Sequence, residues 1–224
     1  MLIGKKMPYI FNFSVDNPEL VDNGKKFSCE LKSMQCEGTT KAGNQCSRSV
    51  VMGLNLCWSH LESEKHLKIQ KSTIPGAGKG MFAWVPAPLR EEWVFKKGQT
   101  VCEYIGETVT NAESTRRYGR ESTAPYSVGI PHTRSDIDSS CMRGYGAFTN
   151  QGNAYNSNRF PSNVQWKAVA RTRTKPAIVK FIAHRNIAHG EELLVHYGNA
   201  YTIDEPGVTY ITKYVRPKKG SRSR

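Results

Sequence analysis

The sequence predicts a mainly β fold of the α+β class, made of many short strands, irregular loops and little helix. Three observations carry that expectation. Apolar runs are short, rich in Val, Ile, Tyr, Phe and Trp, and closed by glycine, proline or asparagine, as strands ended by turns would be. The 224 residues contain no heptad, internal repeat or long 3.6-residue periodicity. Hydrophobic residues make up 38% and charged residues 23%, which suits one core with a small extra module.

Taken in order, residues 1–35 are mixed and unpatterned, and no role follows from them. Residues 36–60 are polar, rich in Gly, Thr and Ser, and hold three of the six cysteines. "LESEKHL" (61–67) suits a short polar helix or a linker. From Lys68 to Trp84 the pattern becomes strand, glycine turn, strand. "GQTVCEYIGETVT" (98–110) gives two short strands around Gly106. "NAESTRRYGRES" (111–122) suits a surface helix with Asn111 as N-cap and Glu113 one turn before Arg116 and Arg117. "YSVGI" (126–130) is strand-like. Residues 146–163 are nearly all turn formers and imply a long loop. Residues 164–187 hold two β-rich runs separated by "RTRTKP", a hairpin with a basic tip. "HGEELLVHYGNAY" (189–201) leaves a glycine turn for a strand ending at Tyr197-Gly198.

The N-terminal module presents Cys36, Cys46, Cys57 and His60, separated by nine, ten and two residues. Zinc takes four thiolate or imidazole ligands in a tetrahedron, and Cys57-x-x-His60 can supply two of them from one turn. So short and polar a stretch buries little core, so metal binding would supply its folding free energy. "CEGTTKAGNQC" followed by "CWSH" also resembles a small Cys₃His module found in proteins of large DNA viruses and some protists, which implies Zn²⁺ at these four residues. Cys29, Cys102 and Cys141 fit no ligand spacing. Cys102, beside Val101 on a strand, reads as a buried small hydrophobe. No secretory signal is evident, so a disulfide framework is not expected.

"STIPGAGKGMFAW" (72–84) has the composition of a phosphate loop but not its chemistry. A P-loop needs a hydroxyl after its lysine, and here Gly80 and Met81 follow Lys79. No helix follows either, so a dinucleotide turn fails as well. What remains is a bend between strands, with Gly76, Gly78 and Gly80 allowing positive φ or close approach. Four further segments follow in order: Val101 to Glu107 ("VCEYIGE"), Ile137-Asp138 leading to Gly144–Asn150 ("GYGAFTN"), Asn163-Val164-Gln165-Trp166, and Arg185 to Gly198 ("RNIAHGEELLVHYG"). With the glycine stretch, this order and spacing resembles the SET-domain protein lysine methyltransferases over residues 66–201.

The resemblance implies a SET β-clip fold of several short curved sheets with a knot-like active site. It implies S-adenosylmethionine as cofactor and a substrate lysine entering a narrow channel from the opposite face. Ala77, Gly78 and Lys79 would meet the cofactor, largely through backbone. Tyr126 would be a further cofactor contact, Asn150 would grip the cofactor with its amide, Gln151 would sit beside it, and Tyr197 would stand at the channel as the catalytic tyrosine. Gln151-Gly152 replaces the family's His-Ser. Twelve residues separate Asn150 from Asn163, with Asn156 a competing match. His196 stands where many members have Asp, and Val195 where many carry Phe or Tyr at the position governing methyl number. No cysteine follows Tyr201, so another element, such as "GVTYITKYV" (207–215), would close the channel.

Lys and Arg number 32 against 19 Asp and Glu, a formal net charge of +13. A polyanionic partner such as DNA or a nucleosome, and a nuclear or virus-associated setting, are expected. The tail "RPKKGSRSR" would be a phosphate-binding arm or an import signal. No apolar run approaches the roughly 18–20 residues that span a bilayer. Glu103, Glu107, Asp136, Asp138, Glu191 and Glu192 all lie in the SET motifs and suggest an acidic groove for a basic peptide such as a histone tail. The domain plan is thus an N-terminal segment (1–35), a zinc module (36–62), a SET domain (66–201) and a basic C-terminal segment (202–224). Two functions fit: a protein-lysine N-methyltransferase, or an inactive SET-fold adaptor for chromatin or nucleic acid.

Overall fold

The computed structural model describes residues 21–22, 25–26, 33–86, 93–118, 126–130, 133–153, 155–169 and 178–197. The basic hairpin tip, the 207–215 segment and the C-terminal tail lie outside them. The architecture is mostly β. In chain order come β1 (Val21–Asp22), β2 (Lys25–Lys26), β3 (Ser33–Gln35), β4 (Ser49–Val51), α1 (Trp58–Lys65), β5 (Leu67–Lys71) and β6 (Lys79–Ala83). Then follow β7 (Thr100–Tyr104), β8 (Glu107–Thr110), α2 (Asn111–Tyr118), β9 (Ser127–Gly129), β10 (Ser135–Asp138) and a 3₁₀ helix (Tyr145–Phe148). The last are β11 (Asn150–Gln151), β12 (Val164–Val169), β13 (Ile178–Ala183) and β14 (Leu194–Val195). Among the described residues, no helix is long and apolar enough to cross a membrane.

Among the described residues the strands form five small sheets. The largest has the order β11-β14-β12-β13-β7, with β14 parallel to both β11 and β12 and antiparallel pairing elsewhere. Because β14 lies between β11 and β12, the 152–163 connection has to cross over it. Strand alternation sets the core: Phe181 and Val179 of β13 are buried, and Trp166 of β12 lies against Phe181 with ring centroids 4.4 Å apart. Cys102 of β7 is buried here, as its strand position suggests, and burial pushes its thiol pKa well up.

Expected and observed local structure differ at several points, among them the bounds of α1 (Trp58–Lys65, not 61–67) and β14 (Leu194–Val195, ending before Tyr197). The helix after β8 is capped by Thr110, whose hydroxyl accepts the Glu113 N–H at 3.1 Å, while Asn111 is already its first residue. The 146–163 stretch is not one loop. Its first part is the 3₁₀ helix and β11, because Gly144 and Gly146 let the backbone lie against Ile105 and Tyr104. A Cβ there would come within 2.6 Å and 2.9 Å of those residues. Cys141 is disulfide-bonded, which the residue spacing gives no sign of.

The β5–β6 hairpin is built by Gly76 (φ +79°) and Gly78 (φ +70°), with Ser72 N–H donating to the Gly78 carbonyl at 2.9 Å. Its β6 edge meets the chain just before β14. Ala83 N–H donates to Glu191 O (2.9 Å), Gly190 N–H to Ala83 O (2.8 Å) and Leu193 N–H to Met81 O (2.7 Å). The glycine motif and the C-terminal motif are therefore brought side by side, although about 110 residues separate them.

Candidate active site and metal centre

Three expected site segments converge where β6, β11 and β14 meet. Asn150 starts β11, and its Nδ2 donates to the Lys79 carbonyl (3.0 Å) and to Glu192 Oε1 (3.1 Å). Tyr197, just beyond β14 and 39% exposed, donates its hydroxyl to the Thr149 carbonyl at 2.5 Å. Ala77 lies in the glycine turn, its N–H reaching Ile74 O at 3.2 Å. Gln151 stands opposite Val195 in the parallel β11–β14 register. Tyr126 lies at the head of β9, its ring 4.0 Å beneath the Arg143 guanidinium and its carbonyl accepting from Tyr104 Oη (2.8 Å). None of these contacts ties Tyr126 to the Asn150–Tyr197 cluster.

Glu192 organises the cluster. It is 7% exposed and accepts from Ser72 Oγ (2.7 Å), the Thr73 N–H (2.7 Å), the Thr73 hydroxyl and Asn150. Gly80 is required opposite it, since a Cβ there would lie 2.0 Å from Glu192 Oε1. One buried carboxylate thus links the glycine hairpin to β11. Asn163 plays the matching part for backbone. Its side chain donates to Glu192 O (2.8 Å) and accepts from the Leu194 N–H (2.9 Å), and it is 2% exposed. Asn156 is exposed, so Asn163 is the asparagine that sits in the motif environment.

Four of the six acidic residues named for a basic-peptide groove, Glu103, Glu107, Asp138 and Glu191, sit in ion pairs. Glu107 and Asp138 both accept from Arg117, Glu103 pairs with Lys180, and Glu192 faces inward. Glu191 pairs with Arg185 and accepts the Ala188 N–H. Burial alone would raise the Glu191 carboxyl, but these two donors outweigh it and leave the group below its ordinary pKa.

The four metal-type residues also come together: one ligand atom from each of Cys36, Cys46, Cys57 and His60 lies within 4.8 Å of all the others. His60 Nδ1 is 3.3 Å from Cys36 Sγ and 3.4 Å from Cys57 Sγ, and Cys46 Sγ is 4.0 Å from Cys57 Sγ. Tetrahedral Zn²⁺ with ordinary bond lengths would require edges of roughly 3.5–3.8 Å, so this donor set fits the ion. The surroundings fit as well. His60 Nε2 faces the Thr39 carbonyl at 3.0 Å, which orients Nδ1 inward, and the N–H groups of Cys57 and Gly38 donate to Cys36 Sγ. Burial would raise the Cys57 thiol, but the His60 backbone and the Arg48 guanidinium bring it down to about 7, favouring the thiolate that binds metal. Gly38 is needed beneath the ring, because a Cβ would stand 2.3 Å from His60 Cγ.

Residues 90–198, which hold Asn150, Asn163, Glu192 and Tyr197, match the SET domain family. The glycine hairpin lies before that span. Solved polycomb repressive complex 2 structures are similar to the chain. One is ctPRC2 in an autoinhibited conformation bound to S-adenosylmethionine, at 23% identity and TM-score 0.48, covering 61% of this chain and 16% of that one. The Chaetomium thermophilum complex gives 23%, 0.48, 66% and 17%, and an active complex in the stimulated state gives 23%, 0.49, 66% and 16%. The chain therefore spans only 16–17% of those chains' length. No curated protein matches it.

Proposed function

We propose that the chain is an S-adenosylmethionine-dependent protein-lysine N-methyltransferase acting on a histone or another basic chromatin-associated protein, in the nucleus or a virus-associated compartment, with Zn²⁺ at Cys36, Cys46, Cys57 and His60. The observation that carries the reading is the convergence of Lys79, Asn150 and Tyr197, drawn from distant parts of a SET fold.

Bound cofactor would supply an electrophilic sulfonium methyl. Gly78, Lys79 and Asn150 would hold it through backbone groups and an amide. An incoming lysine amine must be neutral and in line. Partial desolvation at the channel lowers its pKa, and the released proton passes to solvent. Methyl transfer to that nitrogen would leave the cofactor as a neutral thioether, and this chain's part would be to hold the two reactants in line. Positioning can supply several kcal/mol of the barrier, and the Thr149 carbonyl, which accepts the Tyr197 hydroxyl, would fix that tyrosine at the channel. Tyr197 would orient the amine and align the reactants.

The Gln151-Gly152 departure favours one competing reading, an inactive SET-fold adaptor. Incubating the protein with labelled cofactor and nucleosomes or a lysate, then locating label by mass spectrometry, decides between them. The enzyme reading expects labelled lysines that are lost with Tyr197→Phe, at a cost of about 100-fold or more in rate. No label from well-folded, zinc-loaded protein that binds cofactor would leave the adaptor.

A further inference from the structure

Leu56 immediately precedes the metal-type residue Cys57, and both are buried. Its N–H donates to the Tyr145 hydroxyl at 3.2 Å, joining segments 89 residues apart. A second fastening lies close by. The Met52 carbonyl accepts the Arg143 N–H at 3.0 Å, and Gly53 lies so near that a Cβ would meet the Arg143 carbonyl carbon at 2.9 Å. The module is thus pinned to residues 143–145 by one backbone–backbone and one backbone–side-chain hydrogen bond, which flank its turn at residues 53–55.

Tyr145 opens the 3₁₀ helix, and Thr149 and Asn150 follow directly from its other end. Gly146 has no room to move inward, since a Cβ would come within 2.9 Å of Tyr104 and 3.1 Å of Phe181. A tightly packed turn of this kind passes displacement along instead of absorbing it. At its far end Thr149 O receives the Tyr197 hydroxyl and Asn150 reaches Lys79 O.

We propose that the metal centre positions the cofactor site, with Tyr145 as the relay: metal binding fixes Cys57 and Leu56, Leu56 holds Tyr145, and Tyr145 sets the turn that presents Thr149 and Asn150. Tyr145 is a positioning residue and touches no reactant. The proposal rests on the methyltransferase reading for its consequence but not for its mechanics, and the test keeps the two apart.

The experiment compares zinc-loaded wild type, zinc-loaded Tyr145→Phe and chelator-treated wild type, by amide hydrogen exchange and by calorimetric titration with S-adenosylhomocysteine. Tyr118→Phe serves as a control, because it also removes a buried hydroxyl but lies away from the relay. Tyr145→Phe should retain its zinc. It should speed exchange over 145–151 by about tenfold and weaken ligand binding by about fivefold to tenfold, since the 145–148 turn loses its tie to the module while the Leu56 N–H keeps only the Leu54 carbonyl at 2.6 Å. Chelation should act on the same peptide at least as strongly, and Tyr118→Phe should leave it unchanged. Wild-type exchange over 145–151 in zinc-loaded Tyr145→Phe, or chelation effects confined to 36–60, would overturn the relay. Wild type that binds no S-adenosylhomocysteine would instead count against the methyltransferase reading, and exchange over 145–151 would still decide the relay.

Discussion

Glu192 receives donors from two sides of the candidate site, and its neighbours fix how far it can change. Ser72 and Thr73 approach from the glycine hairpin and Asn150 from β11. Glu192→Gln keeps the volume but turns an N–H₂ toward groups that are already donors. The expected cost is about 2 kcal/mol of stability, with roughly tenfold weaker S-adenosylhomocysteine binding, read by calorimetric melting and titration. If both stay at wild-type values, Glu192 has no organising role. Gly38→Ala should lower zinc content measured by mass spectrometry, because its Cβ would overlap the His60 ring. The glycines were visible in the sequence because the backbone needs them whatever surrounds it. Glu192 was not readable in the same way. Two adjacent glutamates look alike in sequence, and only the pairing of β6 with residues 190–193 turns Glu192 inward and leaves Glu191 to Arg185.

α2 is held to the sheet by Arg117, which accepts no substitute easily. Its guanidinium pairs with Glu107, Glu113 and the fully buried Asp138. Arg117→Met leaves Asp138 with only the Tyr118 hydroxyl and Ser140 N–H for company, and should cost about 3–5 kcal/mol in denaturant unfolding. Arg116→Met, on the solvent side, should cost at most about 0.5 kcal/mol. Arg116 and Arg117 hold the Glu113 carboxyl down at about 2, against 4.5 for the free group. Because the folded value is the lower one, the helix gains stability above about pH 4.5 and loses it as pH falls from there toward 2. The Glu113 side chain is 30% exposed and its partner Arg116 lies at the surface, so solvent screening should hold the loss to about 0.5–1 kcal/mol, and Glu113→Gln should flatten that part of the melting profile. The Glu113–Arg pairs were legible as i, i+3 and i, i+4 spacing. So were the strands around Gly106 and the β12–β13 hairpin, where alternation is local. β11 was not, because a two-residue strand exists only once β14 arrives beside it from over forty residues later.

At the scale of the whole molecule, the positive charge and the SET fold make separate demands. Most acids of the SET motifs share their charge with a neighbouring Arg or Lys, which weakens their pull on a basic substrate. The chain carries a formal net charge of +13, and "RPKKGSRSR" supplies five of those positive charges. Each phosphate neutralised contributes about 0.9 to the slope of log affinity against log salt. If the tail lies along DNA, removing residues 216–224 should reduce that slope for duplex DNA by about 4, and should lower methyl transfer to nucleosomes more than to a free histone peptide. The comparison separates the two roles, because the tail lies beyond the segments that meet at Asn150 and Tyr197. A truncated protein with the same salt slope would assign the tail to something other than phosphate contact. Equal losses on peptide and nucleosome would point to damage within the domain, since a peptide offers no phosphates to lose.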